Sequence, residues 1–139
     1  MNIIGICGDN CIYCPRNIAT QTKSAQKFDE VKELWVRLGL RDPAFPAQDL
    51  VCSGCKPENK CAYPEVRTCV YEKEIENCGF CRVYPCELIN VVFERSEQIY
   101  AHATQVCTSN EMDALKKAFF SKRQNLDQAR LNANERKWK

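Results

Sequence analysis

Apolar residues recur at helical spacing along most of the chain. Phe28, Val31, Leu34, Trp35 and Leu38 follow one another at steps of three and four, which gathers them on one face of a helix. Ser24 stands just before this run, where a hydroxyl accepts from an N–H of the first turn, and Gly39 follows it at the place of a C′ glycine. A longer stripe, Ile89, Val92, Ser96, Ile99, Ala103 and Val106, alternates the same steps and marks the longest helix, begun by Tyr84-Pro85-Cys86. Only Ser96 interrupts its apolar seam. Thr108 and Glu111 form a Thr-x-x-Glu capping box, opening a helix with Met112, Leu115 and Phe119 inward that continues through Leu126 and Ala129 to a frayed tail.

The shorter elements are set by prolines and cysteines. Pro15 suits the first position of a helix over about residues 15–20, with Cys14 as its N-cap. Residues 65–76 hold another short helix carrying Cys69, with Val66, Val70 and Ile75 inward. Residues 1–6 form an apolar lead that either pairs as a strand or packs, and residues 41–48, with Pro43 and Pro46, read as an extended connector. The predicted fold is therefore mainly α: a small single domain of helices with irregular, metal-stapled cysteine-rich loops. Residues 1–107 would be the cysteine-rich part with its long closing helix. Residues 108–139 would be a helical extension with a basic tail, packed on the same domain.

Cysteine usage supplies the reason for the staples. Eleven of the 139 residues are cysteines, and ten of them precede residue 87. The apolar share of 45% counts them, so the true hydrophobes make a lean core. Three Cys-x-x-Cys turns occur, Cys11/Cys14, Cys52/Cys55 and Cys78/Cys81, with Cys7, Cys61, Cys69 and Cys86 nearby. Two cysteines at that spacing present both sulfurs to one ion, and a second pair completes a tetrahedron. These ten are the candidate metal ligands.

The local surroundings favour thiolates. Cys14 and Cys86 fall at helix starts, where backbone N–H groups and the positive dipole end attract negative sulfur. Arg16, Lys56, Lys60, Arg67 and Arg82 flank the ligands. Ten ligands suit two four-cysteine sites, and the grouping chosen here is Cys52, Cys55, Cys61 and Cys69 in one and Cys11, Cys14, Cys78 and Cys81 in the other. Cys7 and Cys86 are then supports. Zinc, about two ions, is the first choice because it takes four thiolates without redox chemistry. The alternative is an iron–sulfur cluster, since Cys7-x-x-x-Cys11-x-x-Cys14 has the three-cysteine spacing of enzymes that generate radicals from S-adenosylmethionine. Disulfides are disfavoured by the odd cysteine count and the absence of a recognisable secretory leader. Cys107, isolated on a helical stretch, reads as a small buried hydrophobe.

At Cys7-Gly-Asp-Asn-Cys11-Ile-Tyr-Cys14-Pro15, Cys52-Ser-Gly-Cys55, Val66-Arg67-Thr68-Cys69 and Cys78-Gly-Phe-Cys81-Arg-Val-Tyr84-Pro85-Cys86, the chain resembles the cysteine-rich prokaryotic proteins catalogued as domain of unknown function 3795. The resemblance covers about residues 5–90 and extends to Lys117-Ala-Phe-Phe120. It implies a cytosolic metal-binding protein and supplies no reaction. The register around Cys61 is the one place where the motifs do not align.

Charge adds little to this picture. The net charge is +2, but residues 116–139 carry eight bases against two acids, leaving the body near −4. A basic tail, with Tyr13, Tyr63, Phe80 and Tyr84 among arginines, allows a nucleic-acid surface. The reading preferred here is a helix end suited to its own dipole and aromatics that cover the sulfurs. His102 is the only histidine and lies beside the long helix's seam, as a surface residue would. No set of acid, base and nucleophile points to an enzyme. The expectation is a cytoplasmic, metal-binding interaction module with a protein partner and no membrane span.

Overall fold

Some helix starts in this chain are set by side chains that take up orphan N–H groups, and others by a proline, which brings no N–H of its own. In the computed structural model, which describes residues 4–53 and 62–137, Ser24 accepts from the Lys27 N–H at 3.3 Å and opens α2, Ala25–Arg37. The same helix ends with Gly39 donating to the Val36 carbonyl and Leu40 to that of Trp35, the paired bonds of a Schellman stop. Pro15 begins α1, Pro15–Thr22, with Cys14 as N-cap, and Pro64 begins α3, Pro64–Glu72. The long helix α4 runs over Glu87–Val106 with Cys86 as N-cap. Thr108 and Glu111 close the predicted capping box at the head of α5, Ser109–Ala118. The last helix is α6, Lys122–Lys137. Among the described residues the only β feature is an isolated bridge between Ile4 and Asn10.

Two expectations need correction. Residues 41–48 are not extended. Asp42 accepts from the Ala44 N–H at 2.8 Å, its carbonyl accepts from Phe45, and a 3-10 turn at Ala47–Leu50 buries Leu50 against α2. Asp followed by Pro is a turn start as readily as an extended pair, because the fixed φ of proline serves both. Nor does α5 continue into the tail. Phe119 packs edge-on against Trp35 and Phe120 edge-on against Tyr100, so the chain turns between them, with the Ser121 hydroxyl donating to the Lys116 carbonyl.

The apolar interior is in two parts with α4 as their common spine. Ile6, Val66, Val70, Ile89, Val92, Phe93 and Leu126 form one cluster; Ala19, Val31, Leu34, Trp35, Leu50, Ala103 and Leu115 form the other. A 20-residue helix is about 30 Å long, enough to serve both. Phe93 was not part of the predicted stripe, and its burial widens the helix's inner face beyond the three-four seam.

Across the second cluster Arg37 joins α2 to α5. It donates to Glu111 at 2.6 Å, to Glu33 at 3.0 Å and to the Val106 carbonyl at 3.2 Å. Burial pushes the Glu111 carboxyl upward, but the hydrogen bonds from Arg37 and from the Thr108 N–H, with the charge of Arg37, outweigh it and hold it below the usual carboxylate value. A depressed carboxylate stabilises above its unfolded pKa and ceases to do so as pH falls through the folded one. Glu111→Gln is therefore expected to destabilise by about 1 kcal/mol near neutral pH. In urea titrations the gap should close below about pH 4, and a gap unchanged down to pH about 3 would contradict the assignment.

Candidate metal centres

Cys69, Cys78, Cys81 and Cys86 come together from three elements. Cys69 is on α3, Cys78 opens a 3-10 turn at Cys78–Phe80, Cys81 closes that turn, and Cys86 caps α4. Asn77 fixes the turn by accepting from the Gly79 N–H at 2.9 Å, and the Cys78 N–H donates to the Ile6 carbonyl at 3.0 Å. The four side chains line one cavity of about 20 Å³ with Val70, Lys73, Ile75, Tyr84, Leu88 and Ile89. That is close to the space of a single water-sized sphere.

The four sulfurs differ in electrostatics. Burial, then repulsion from Cys86, Cys69 and Cys81, pushes the Cys78 thiol up to about 12. Burial also acts on Cys81, but the Lys73 ammonium donates to its sulfur at 3.1 Å and is joined by the Val83 N–H and the charge of Arg130. Together these hold Cys81 below the ordinary thiol value. Cys78 and Cys81 are thus pushed in opposite directions.

A second set, Cys7, Cys11, Cys14 and Cys52, lines a larger cavity of about 160 Å³. A tight turn from Gly5 to Asp9 presents Cys7, and Asn10 caps the 3-10 turn Cys11–Tyr13 by accepting from the Ile12 N–H. Arg16 donates to the carbonyls of Leu50 and Val51, and the Thr20 hydroxyl accepts from the Cys52 N–H, so the segment bearing Cys52 is drawn onto α1. Burial, aided by Asp9 and Cys52 and opposed by N–H groups of Asn17 and Arg16, raises the Cys14 thiol to about 11. Beside Cys7 the buried Lys122 forms an ion pair with Asp9 at 2.7 Å. Burial pulls the pKa of this ammonium down, and the charges of Asp9 and Cys7 outweigh that effect and hold it above the usual lysine value.

Helix α6 lies across both sets. Its Asn125 donates to the Gly8 carbonyl at 2.9 Å, Arg130 to the Cys81 carbonyl at 2.8 Å, and Asp127 accepts from the Tyr84 hydroxyl at 2.7 Å. A Cβ at Gly8 would stand 2.6 Å from the Lys122 carbonyl oxygen, and one at Gly79 2.6 Å from that of Leu126. Only a residue without a side chain permits that approach.

Eight of the ten candidate ligands are described; Cys55 and Cys61, with the rest of the predicted turn after Ser53, lie outside the described residues. The cavities group the described cysteines differently from the expectation. Cys69 belongs with Cys78, Cys81 and Cys86 rather than with Cys52, and Cys11 and Cys14 line the other cavity with Cys7 and Cys52. Spacing along the chain does not reveal which turn a helix faces, and α3 directs Cys69 toward the turn that follows it. Among the described residues no group of three or more His, Cys, Asp or Glu side chains is arranged as a metal site as it stands, and no disulfide joins the described cysteines. Cys107 packs partly buried on the second apolar cluster, and His102 is exposed with its Nε2 3.3 Å from the Arg37 carbonyl oxygen. Sequence reasoning missed Lys73 and Lys122, whose only signal was a basic residue at helical spacing from a cysteine or an aromatic.

A family described as "Protein of unknown function (DUF3795)" matches residues 3–91. The chain belongs to this family. The matched span holds ten cysteines and stops before α6 begins. No curated protein and no solved structure matches the chain.

The close approach of α6 predicts the effect of a single methyl group. Gly79→Ala is expected to destabilise by about 1–3 kcal/mol, since the new Cβ meets a backbone oxygen and the Ala129 Cβ, neither of which can rotate away. Urea unfolding measures this, and a loss under about 0.5 kcal/mol would show that α6 is not tightly seated.

Proposed function

We propose that this DUF3795 protein is a metal-binding module that acts through binding a partner. Zinc is its first candidate metal, with one ion held by Cys69, Cys78, Cys81 and Cys86 and a second by Cys7, Cys11, Cys14 and Cys52. The observation that carries the reading is the convergence of four cysteines from two helices and a turn on a cavity of about 20 Å³. Four thiols, room for one ion and a helix start at Cys86 fit a tetrahedral thiolate site. Ligation would draw the sulfurs to about 2.3 Å from a common ion and replace their mutual repulsion, which helps to push Cys78 up, with attraction to the cation. When bound, zinc would supply cross-linking of the loops and no redox chemistry.

One observation favours a second reading at the other set. The cavity beside Cys7, Cys11 and Cys14 is about 160 Å³, far more than one ion requires, and the spacing of these three is the one shared with cluster-binding enzymes. An iron–sulfur cluster there is the alternative to the second zinc.

Elemental analysis and a visible spectrum of protein purified without air separate the two. The zinc reading predicts colourless protein with about two zinc ions per chain, falling to about one in Cys81→Ser. Brown protein containing iron and sulfide, bleached by oxygen, would favour the alternative at the first set. Protein that carries neither metal and gains none on incubation would remove both.

A further inference from the structure

We propose that the cavity bordered by Cys7, Cys14 and Cys52 binds a small organic anion, a carboxylate or phosphate carried on an apolar body about the size of a benzene ring. The cavity holds about 160 Å³, and an apolar cavity of about 150 Å³ accommodates benzene. Its walls are of two kinds. Trp35, Leu38, Ile99, Leu115 and Phe119 supply the apolar side. Arg16, Arg41, Arg67, Arg95 and Lys122 supply the charged lining.

Among the described residues the charges do not balance. Among the described lining residues Asp9 is the one carboxylate, and it is engaged by Lys122 at 2.7 Å. Arg16 donates to the carbonyls of Leu50 and Val51, which hold its side chain in place without neutralising it. Arg41 donates to the Leu40 carbonyl and lies over the Phe45 ring, and Arg95 lies over the Tyr63 ring; neither contact supplies a carboxylate. These guanidiniums act on each other: burial first, then Arg16 and Arg95, pull Arg41 below the ordinary arginine value. Like charges collected beside an apolar space cost free energy that an anion recovers, and a guanidinium takes carboxylate or phosphate through two parallel N–H bonds. A four-thiolate centre around a divalent ion carries about −2 and leaves a cationic excess, so the inference holds for a metal-free or zinc-bound centre, whereas an iron–sulfur cluster would fill the same space.

The test uses the full chain as purified, in a Trp138→Phe background so that emission reports Trp35 alone. Sodium benzoate, phenyl phosphate and uncharged benzyl alcohol are titrated in turn, followed by fluorescence and calorimetry. At least one anion is expected to bind about tenfold or more tighter than the alcohol, and the stronger of the two identifies the head group. Arg41→Gln and Arg95→Gln should each weaken that anion by about tenfold, with circular dichroism and metal content unchanged. Arg95 is exposed on α4, so its variant keeps the fold. Equal binding of alcohol and anions, no binding at millimolar concentration, or substitutions that alter metal content and leave anion affinity unchanged would each overturn the proposal.

Discussion

The arrangement depends on one close approach. Helix α6 reaches backbone to backbone onto Gly8 in the first cysteine loop and Gly79 in the second, and buries Leu126 between them in the apolar cluster. Side chains then fasten each end: Asn125 and Lys122 on the Gly8 loop, Arg130 and Asp127 on the turn from Cys81 to Tyr84. Loops of this kind have little apolar surface of their own, and a helix laid across them supplies what they lack. The helix lies beyond residues 3–91, the span the family match covers, and packs on the cysteine-rich part within it.

With α6 in place the two cysteine sets have different characters. The set on α3, the second turn and α4 surrounds a space of about 20 Å³ and has one cation, Lys73, donating to a sulfur. The set on the first loop, α1 and Cys52 borders a space of about 160 Å³ with a wall rich in arginine. A small, closed thiol cage suits a structural ion. A roomy cavity with unbalanced positive charge suits a ligand of opposite sign. One chain would then hold a staple and a pocket side by side, joined through α6 and the spine of α4.

Much of the fold was legible in the sequence because local chemistry decided it. Ser24, Pro15 and the Thr108/Glu111 pair mark helix starts that the structure places at those residues, and the stripe from Ile89 to Val106 gives α4 its inner face. What was not legible was decided by contacts between distant segments. The break at Phe119 and Phe120 answers to Trp35 and Tyr100, and the turns at residues 41–48 answer to Leu50 seeking the second cluster. The cysteines illustrate the same division. Spacing singled them out as candidates, but which of them come together required knowing that α3 turns Cys69 toward Cys78 and that Arg16 draws Cys52 to α1. Lys73, which donates to the Cys81 sulfur, and Lys122, paired with Asp9 beside Cys7, carried no sequence signal of comparable weight.

The central claim is that sulfurs from separate elements share cations, and X-ray absorption at the metal edge addresses it most directly. For protein as purified, the account predicts a zinc edge whose first shell is four sulfurs at about 2.3 Å. A first shell of nitrogen or oxygen at about 2.0 Å, or no metal edge at all, would contradict it.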